Sequence, residues 1–268
     1  MGIRSRLFLF TALLALAAPP AWGWGSGCKF TADRSGEVAV EGAMVVEIFA
    51  LAGDLRISGG ADDGKVTAEG EACSSREDML SVIDVTVRRD GDRIQVLAEM
   101  PDISGETERR WKDEYATLDL EIELPSNLSV VVHDSSGDLR VQRVAGAEVS
   151  DSSGDIELED IDGPVTIPRD SSGEIMMSRV GDVVIQVDSS GEIRIEEAAS
   201  VTIANDTSGD IVLEDIAGDV LIGNDSSGRI AVRNVGGSFL VENDTSGGIR
   251  YSNVDGPVSL PEDRHGAN

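Results

Sequence analysis

Seven tetrads of the form Asp-Ser/Thr-Ser-Gly begin at Asp134, Asp151, Asp170, Asp188, Asp206, Asp225 and Asp244, at intervals of 17 to 19 residues. They close on Gly137, Gly154, Gly173, Gly191, Gly209, Gly228 and Gly247. Self-similarity at this period selects a repeat architecture before any local reading applies. After each glycine, apolar residues recur two, four and seven places on, and an alternating pair follows. For Gly209 these are Ile211, Leu213, Ile216, Val220 and Ile222; for Gly154 they are Ile156, Leu158, Ile161, Val165 and Ile167. Alternation by twos means strands. Two short strands cannot bury a core alone, but coil stacked on coil aligns the Ile, Val and Leu positions into one apolar column. The expectation is an all-β chain, a parallel β-solenoid (single-stranded β-helix) of about seven regular coils, making a rod about 34 Å long at ~4.8 Å per coil. An up-and-down sandwich would not need near-identical turns at near-identical spacing.

The tetrad reads as a corner. Its glycine suits a backbone with φ above zero, which β-branched residues resist. Counting back by twos from inward Ile211 through Gly209 puts Thr207 inward, and with it Ser135, Ser152, Ser171, Ser189, Ser226 and Thr245. Hydroxyls stacked there would bond along the rod. Each aspartate would then face out or fold back onto nearby amides as an Asx-turn. A second turn carries glycine at Gly146, Gly163, Gly181, Gly218, Gly237 and Gly256.

The ends bound the fold and the compartment. Residues 1–23 combine a basic start (Arg4, Arg6), the apolar run LFLFTALLALAA and a small-residue exit, the layout of a secretory signal peptide. The run is too short to span a bilayer permanently, so no transmembrane helix is expected in the mature chain. Export permits disulfides, and the first choice is a bridge between Cys28 and Cys73; lipidation of Cys28 is the alternative. Residues 24–132 read as a less regular β-rich region of degenerate coils. It holds a hairpin turning at Asp90-Gly91 and a short helix opened by Ser74 or Ser75, and it would cover one end of the rod. The regular repeats run over 133–261, and a polar tail, 262–268, would blunt the other end.

Charge removes some function classes. The chain carries a formal net charge of −28, and loss of Arg4 and Arg6 would take it to −30. Such a chain repels phosphate backbones, which excludes nucleic acid as a partner. No catalytic, cofactor or metal residues are assigned. His133, Asp134 and Ser135 are adjacent on one strand and corner, so they cannot converge on one reacting atom as a triad does. The row after the tetrad glycines, Asp138, Asp155, Glu174, Glu192 and Asp210, raises the question of calcium. The GGxGxD grammar of calcium-binding β-helices is missing, however, and Arg140, Arg194 and Arg250 lie two places along to offset the charge, so a solvated acidic face is preferred. The stretch 100–115 gathers Arg109, Arg110, Trp111 and Tyr115, a possible contact patch.

The start at Cys28, AGDLRISG, EACSS, a DLEIELP strand and serial DSSGDIxLxDIxGxVxI coils together resemble the DUF4097 family of bacterial envelope proteins, described as candidate adhesins. The resemblance covers nearly the whole mature chain. It implies a right-handed β-solenoid that is exported, to the periplasm or the cell surface, and not an enzyme. The leading expectation is a non-catalytic structural or adhesin-like surface that meets an extended ligand, polysaccharide or protein. A carbohydrate-active enzyme on a β-helix scaffold is the alternative, but coils of nearly constant length leave little chain to build a cleft.

Overall fold

The computed structural model describes residues 28–101 and 114–261. The first seven strands are β1 (Phe30–Ala39), β2 (Val45–Phe49), β3 (Leu55–Gly59), β4 (Lys65–Ser74), β5 (Asp84–Asp90), β6 (Arg93–Glu99) and β7 (Ala116–Leu124), with one short helix, α1 (Glu77–Leu80). The coils follow as β8 (Ser129–His133), β9 (Leu139–Gln142), β10 (Gly146–Ser150), β11 (Ile156–Ile161), β12 (Val165–Arg169), β13 (Ile175–Ile185) and β14 (Ile193–Asp206). They end with β15 (Ile211–Ile216), β16 (Val220–Asp225), β17 (Gly228–Val235), β18 (Phe239–Asp244), β19 (Gly247–Val254) and β20 (Val258–Ser259).

Pairing from coil to coil is parallel and in register, giving the β-solenoid its two walls. In the first wall β6 pairs with β2, β2 with β8, β8 with β10 and β10 with β12; the second halves of β13 and β14, then β16, β18 and β20, continue it. The second wall runs from β7 through β3, β9 and β11 to the first halves of β13 and β14, then β15, β17 and β19. The segment 45–59 is thus itself a coil, inserted between β6/β7 and β8/β9. At the N-terminal end pairing turns antiparallel: β5 folds on β6, and β1 and β4 extend from β7. Between the walls, Ile211, Leu213, Ile222, Ile230, Val232 and Phe239 are all 0 % exposed. Burial of this kind contributes roughly 25 cal/mol per Å² of apolar surface. The last coil is less covered, with Tyr251 at 49 % and Leu260 at 37 % exposure. The tail 262–268 lies outside the described residues.

The tetrad glycines do more than tolerate positive φ. Gly209 has φ +137, and a Cβ built on it would lie 1.6 Å from the carbonyl oxygen of Gly191, one coil earlier. The same approach recurs from Gly137 to Gly247, so coils touch backbone to backbone at this corner. A second bend was not legible as such: Arg143, Asp160, Arg179, Glu197, Asp215, Asn234 and Asn253, each six places after a tetrad glycine, have φ of 54 to 57. Asn and Asp adopt this conformation most readily of the non-glycine residues, while Arg and Glu carry some strain there.

Two local expectations need correction. The tetrad aspartates, not the Ser/Thr beside them, turn inward: Asp170 and Asp188 are 0 % exposed, whereas Ser152, Thr207 and Ser226 are exposed. Counting by twos assumes an extended chain, and the positive φ at the glycine resets the direction of every side chain before it. The helix α1 starts after Arg76 without a side-chain cap; Ser74 instead accepts the Arg76 amide at 3.2 Å from outside the helix.

Cys28 and Cys73 are bonded, with Cα atoms 5.6 Å apart. The bridge fastens the start of β1 to β4, and a sulfur so engaged is not free for a lipoprotein thioether. Tyr115 completes this attachment, its hydroxyl accepting the Lys29 amide at 3.0 Å. Non-reducing mass analysis of the purified chain should find no free thiol, and Cys73→Ser should lower stability by about 2–4 kcal/mol.

The corner geometry also orders two substitutions. Gly209→Val forces a Cβ into backbone and should cost roughly 3 kcal/mol or more. Val212→Thr, on the outer side of β15, should stay within about 0.5 kcal/mol. Thermal melts of the two variants compare them directly; equal midpoints would refute the corner geometry.

Candidate functional site

The two walls differ in what they present to solvent along the regular coils. On the outer side of the second wall, Arg140 pairs with Glu157 and Glu159, each at 3.0 Å, and Arg179 also reaches Glu159. Arg194–Glu192 and Arg233–Glu214 continue the lacing. Exposed pairs of this kind contribute only ~0–1 kcal/mol each, so their main effect is to keep this wall hydrated.

On the first wall the coil register aligns Thr166, Val184, Thr202, Leu221 and Leu240 in one outward row. None of these five is charged, although the whole chain stands at −28; toward the N-terminal end the same row continues through the exposed Glu148. A rim of polar side chains borders the row. The Ser238 amide and hydroxyl donate to Asp219 at 2.7 and 2.8 Å, and the Ser200 hydroxyl donates to Asp182 at 2.6 Å. A shallow groove of about 390 Å³ lies between, lined by Ser200, Thr202, Asp219, Leu221, Ser238 and Leu240. Along the edge nearest the tetrads, Asn224 donates to Asn205 and Asn243 to Asn224, both at 3.0 Å.

Inside the tetrad corner the aspartates form a column. Asp134, Asp151, Asp206 and Asp225 are 1 to 6 % exposed. The fold-back onto amides is slight: Oδ1 of Asp134 accepts the Ser135 amide at 2.8 Å, but both carboxyl oxygens of Asp151, Asp170, Asp188, Asp206 and Asp225 lack a donor at hydrogen-bonding geometry. Removal from water therefore dominates their acidity. It pushes Asp170 up to about 7, with the charges of Asp188 and Asp151 adding to the effect. Asp134, Asp188, Asp206 and Asp225 rise to about 6, and Asp151 is raised as well, each chiefly by burial. The hydroxyl ladder lies outside this column and uses the third tetrad residue. Ser190 donates to the Ser171 carbonyl and Ser208 to that of Ser189, both at 3.1 Å, and Ser227 donates to Thr207 at 3.2 Å.

The acidic row after the glycines has a structural role that spacing did not reveal. Asp155 accepts the Glu174 amide at 2.8 Å and Asp210 the Arg229 amide at 2.9 Å, so each carboxylate bonds the backbone of the next coil. The Arg229 amide and guanidinium hold Asp210 below the usual carboxylate range. Among the described residues no group of three or more His, Cys, Asp or Glu side chains converges to hold a metal, and no helix is long and apolar enough to cross a membrane. Arg109, Arg110 and Trp111 lie outside the described residues. Tyr115, the described member of that set, is exposed, with its hydroxyl on the Lys29 amide.

No protein-family model matches the chain, and no curated protein matches it. Several solved structures do. A candidate adhesin from Bacteroides fragilis is 16 % identical, with a TM-score of 0.37 over 87 % of this chain and 98 % of that one. A candidate lipid-binding protein from Parabacteroides distasonis is 16 % identical, with a TM-score of 0.39 over 86 % and 97 %. A candidate cell adhesion protein from Clostridium sporogenes is 12 % identical, with a TM-score of 0.31 over 86 % and 99 %. The fold described above rests on register and burial, not on these likenesses.

With Asp138, Asp155 and Asp210 of the acidic row accepting backbone amides, millimolar calcium should move the melting temperature no more than magnesium does. A true calcium site would instead show a calcium-specific rise that a chelator reverses.

Proposed function

We propose that this chain is a non-catalytic exported envelope protein of the DUF4097 kind, whose first wall is an adhesive face for an extended ligand, polysaccharide or protein strand. The observation that carries this reading is the uncharged row Thr166, Val184, Thr202, Leu221 and Leu240 on an otherwise strongly acidic chain. The row repeats every ~4.8 Å, so a long ligand meets many equivalent shallow contacts in place of one deep pocket. Serine and aspartate at the rim supply hydroxyl and carboxylate partners of the kind that sugar hydroxyls or backbone amides need. The disulfide supports export.

The enzyme alternative is weaker for a physical reason. Carboxyls of raised pKa mark catalytic sites when they line a cleft. Here they lie sealed behind the corner, where no substrate atom can approach them. The outward carboxylates of the second wall are tied up in ion pairs, and the groove on the first wall is shallow.

Co-sedimentation of the purified chain with cell-wall polysaccharide tests the reading. Thr202→Asp combined with Leu221→Asp should weaken association about tenfold or more. Ala231→Asp, on the other wall, should leave it unchanged. Equal binding by all three would sink the assignment of the first wall.

A further inference from the structure

The tetrad column takes no part in the binding proposed above, yet it is the least ordinary chemistry in the molecule. Register places Asp170 beside Asp188 and Asp188 beside Asp206, then Asp206 beside Asp225 and Asp225 beside Asp244. These side chains therefore stack one coil apart, and the buried carboxyl oxygens of Asp170, Asp188 and Asp206 have no donor. Two ionised carboxylates offer only acceptors to one another. Such a contact, 0 % exposed at Asp170 and Asp188, is favourable only when a proton lies in it.

Nothing facing the column replaces that proton. The remaining groups acting on it are themselves acidic: Asp54 on Asp134 and Asp210 on Asp225. The amides of Ser135, Ser152, Ser171, Ser189, Thr207 and Ser227 oppose the rise in pKa without cancelling it. His133 and Arg169 precede Asp134 and Asp170 in the chain, but His133 stacks on Phe49 at 4.8 Å and Arg169 is exposed. None of the ion pairs among the described residues includes a tetrad aspartate.

We propose that the tetrad column is a proton-binding site in which neighbouring aspartates share protons from coil to coil, so that the corner is held by acid-to-carboxylate hydrogen bonds. Each binding event takes one proton from solvent and converts one carboxylate into a carboxylic acid, which donates to the carboxylate of the next coil.

The sign follows from linkage. These carboxyls bind protons more tightly folded than unfolded, where they titrate near ~3.9. Stability is therefore greatest under mildly acidic conditions and falls as pH rises through about 6 to 7, where the folded column loses its protons. The melting temperature of the full chain should drop by on the order of 10 °C between pH 5 and pH 8. Asp170→Asn with Asp188→Asn, which keeps shape and removes the buried charge, should lift the pH 8 value and flatten the profile. Glu148→Gln with Glu242→Gln, an equal charge change at exposed positions, should leave the slope in place. Should the buried pair fail to fold, carbon-detected NMR titration of the wild-type aspartate carboxyls reads the column directly, with several groups expected to titrate above about 5.5. Titration of every carboxyl near ~4, or identical slopes for the two double variants, overturns the proposal. A calcium-induced rise in melting temperature that abolishes the pH slope overturns it too, by putting a cation where the proton is assigned.

Discussion

Backbone contact between successive coils at the tetrad glycines is the constraint from which the rest of the structure follows. With each glycine Cα close against the carbonyl of the glycine one coil before, adjacent coils can neither slide nor rotate relative to one another. Gly209 over Gly191 and Gly228 over Gly209 show the approach at 1.6 Å to a built Cβ. Locked at that corner, both walls pair in parallel register, and the apolar positions of each coil land on those of the next. The hydrophobic effect supplies the driving force, but it is non-directional; the glycine contact decides the registry.

Registry in turn creates ladders, and their consequences differ by side of the wall. Outside, like residues stacked every ~4.8 Å can relax into water or find partners. The asparagines donate to one another, the third-position serines donate to carbonyls, and the acidic row accepts amides. Inside, stacked aspartates have no such freedom. Repetition that is neutral or useful at the surface becomes an electrostatic load in the interior, and protonation is the means by which the column can shed it. The two walls show a similar division at larger scale, one laced with ion pairs and the other carrying an uncharged row from Thr166 to Leu240.

Much of this was legible before any coordinates. The spacing of Gly209, Ile211, Leu213, Ile216, Val220 and Ile222 specifies strand, bend and strand, and its recurrence specifies a solenoid. Alternation identified the buried residues because side chains on an extended chain change sides at every step. Cys28 and Cys73, the two cysteines of the chain, were an evident pair. The acidic row was visible as a row but not as a set of acceptors, because its partners are backbone amides of the next coil and leave no mark on residue type. The αL bend at Arg143, Arg179 and Glu197 was hidden for a related reason: a conformation imposed by closure of the coil need not choose the residue that prefers it.

The sequence by itself determined that the chain repeats, that its repeats are paired strands around an aliphatic column, and that glycine is required once per coil. Tertiary structure alone decided which neighbour of that glycine faces inward. Alternation carries through extended backbone and fails across a positive φ, so no count from Ile211 could place Asp206 correctly. Only closure of the coil fixes that turn, and it puts the carboxylate inside and the hydroxyl outside, reversing the more economical arrangement that residue chemistry alone would choose.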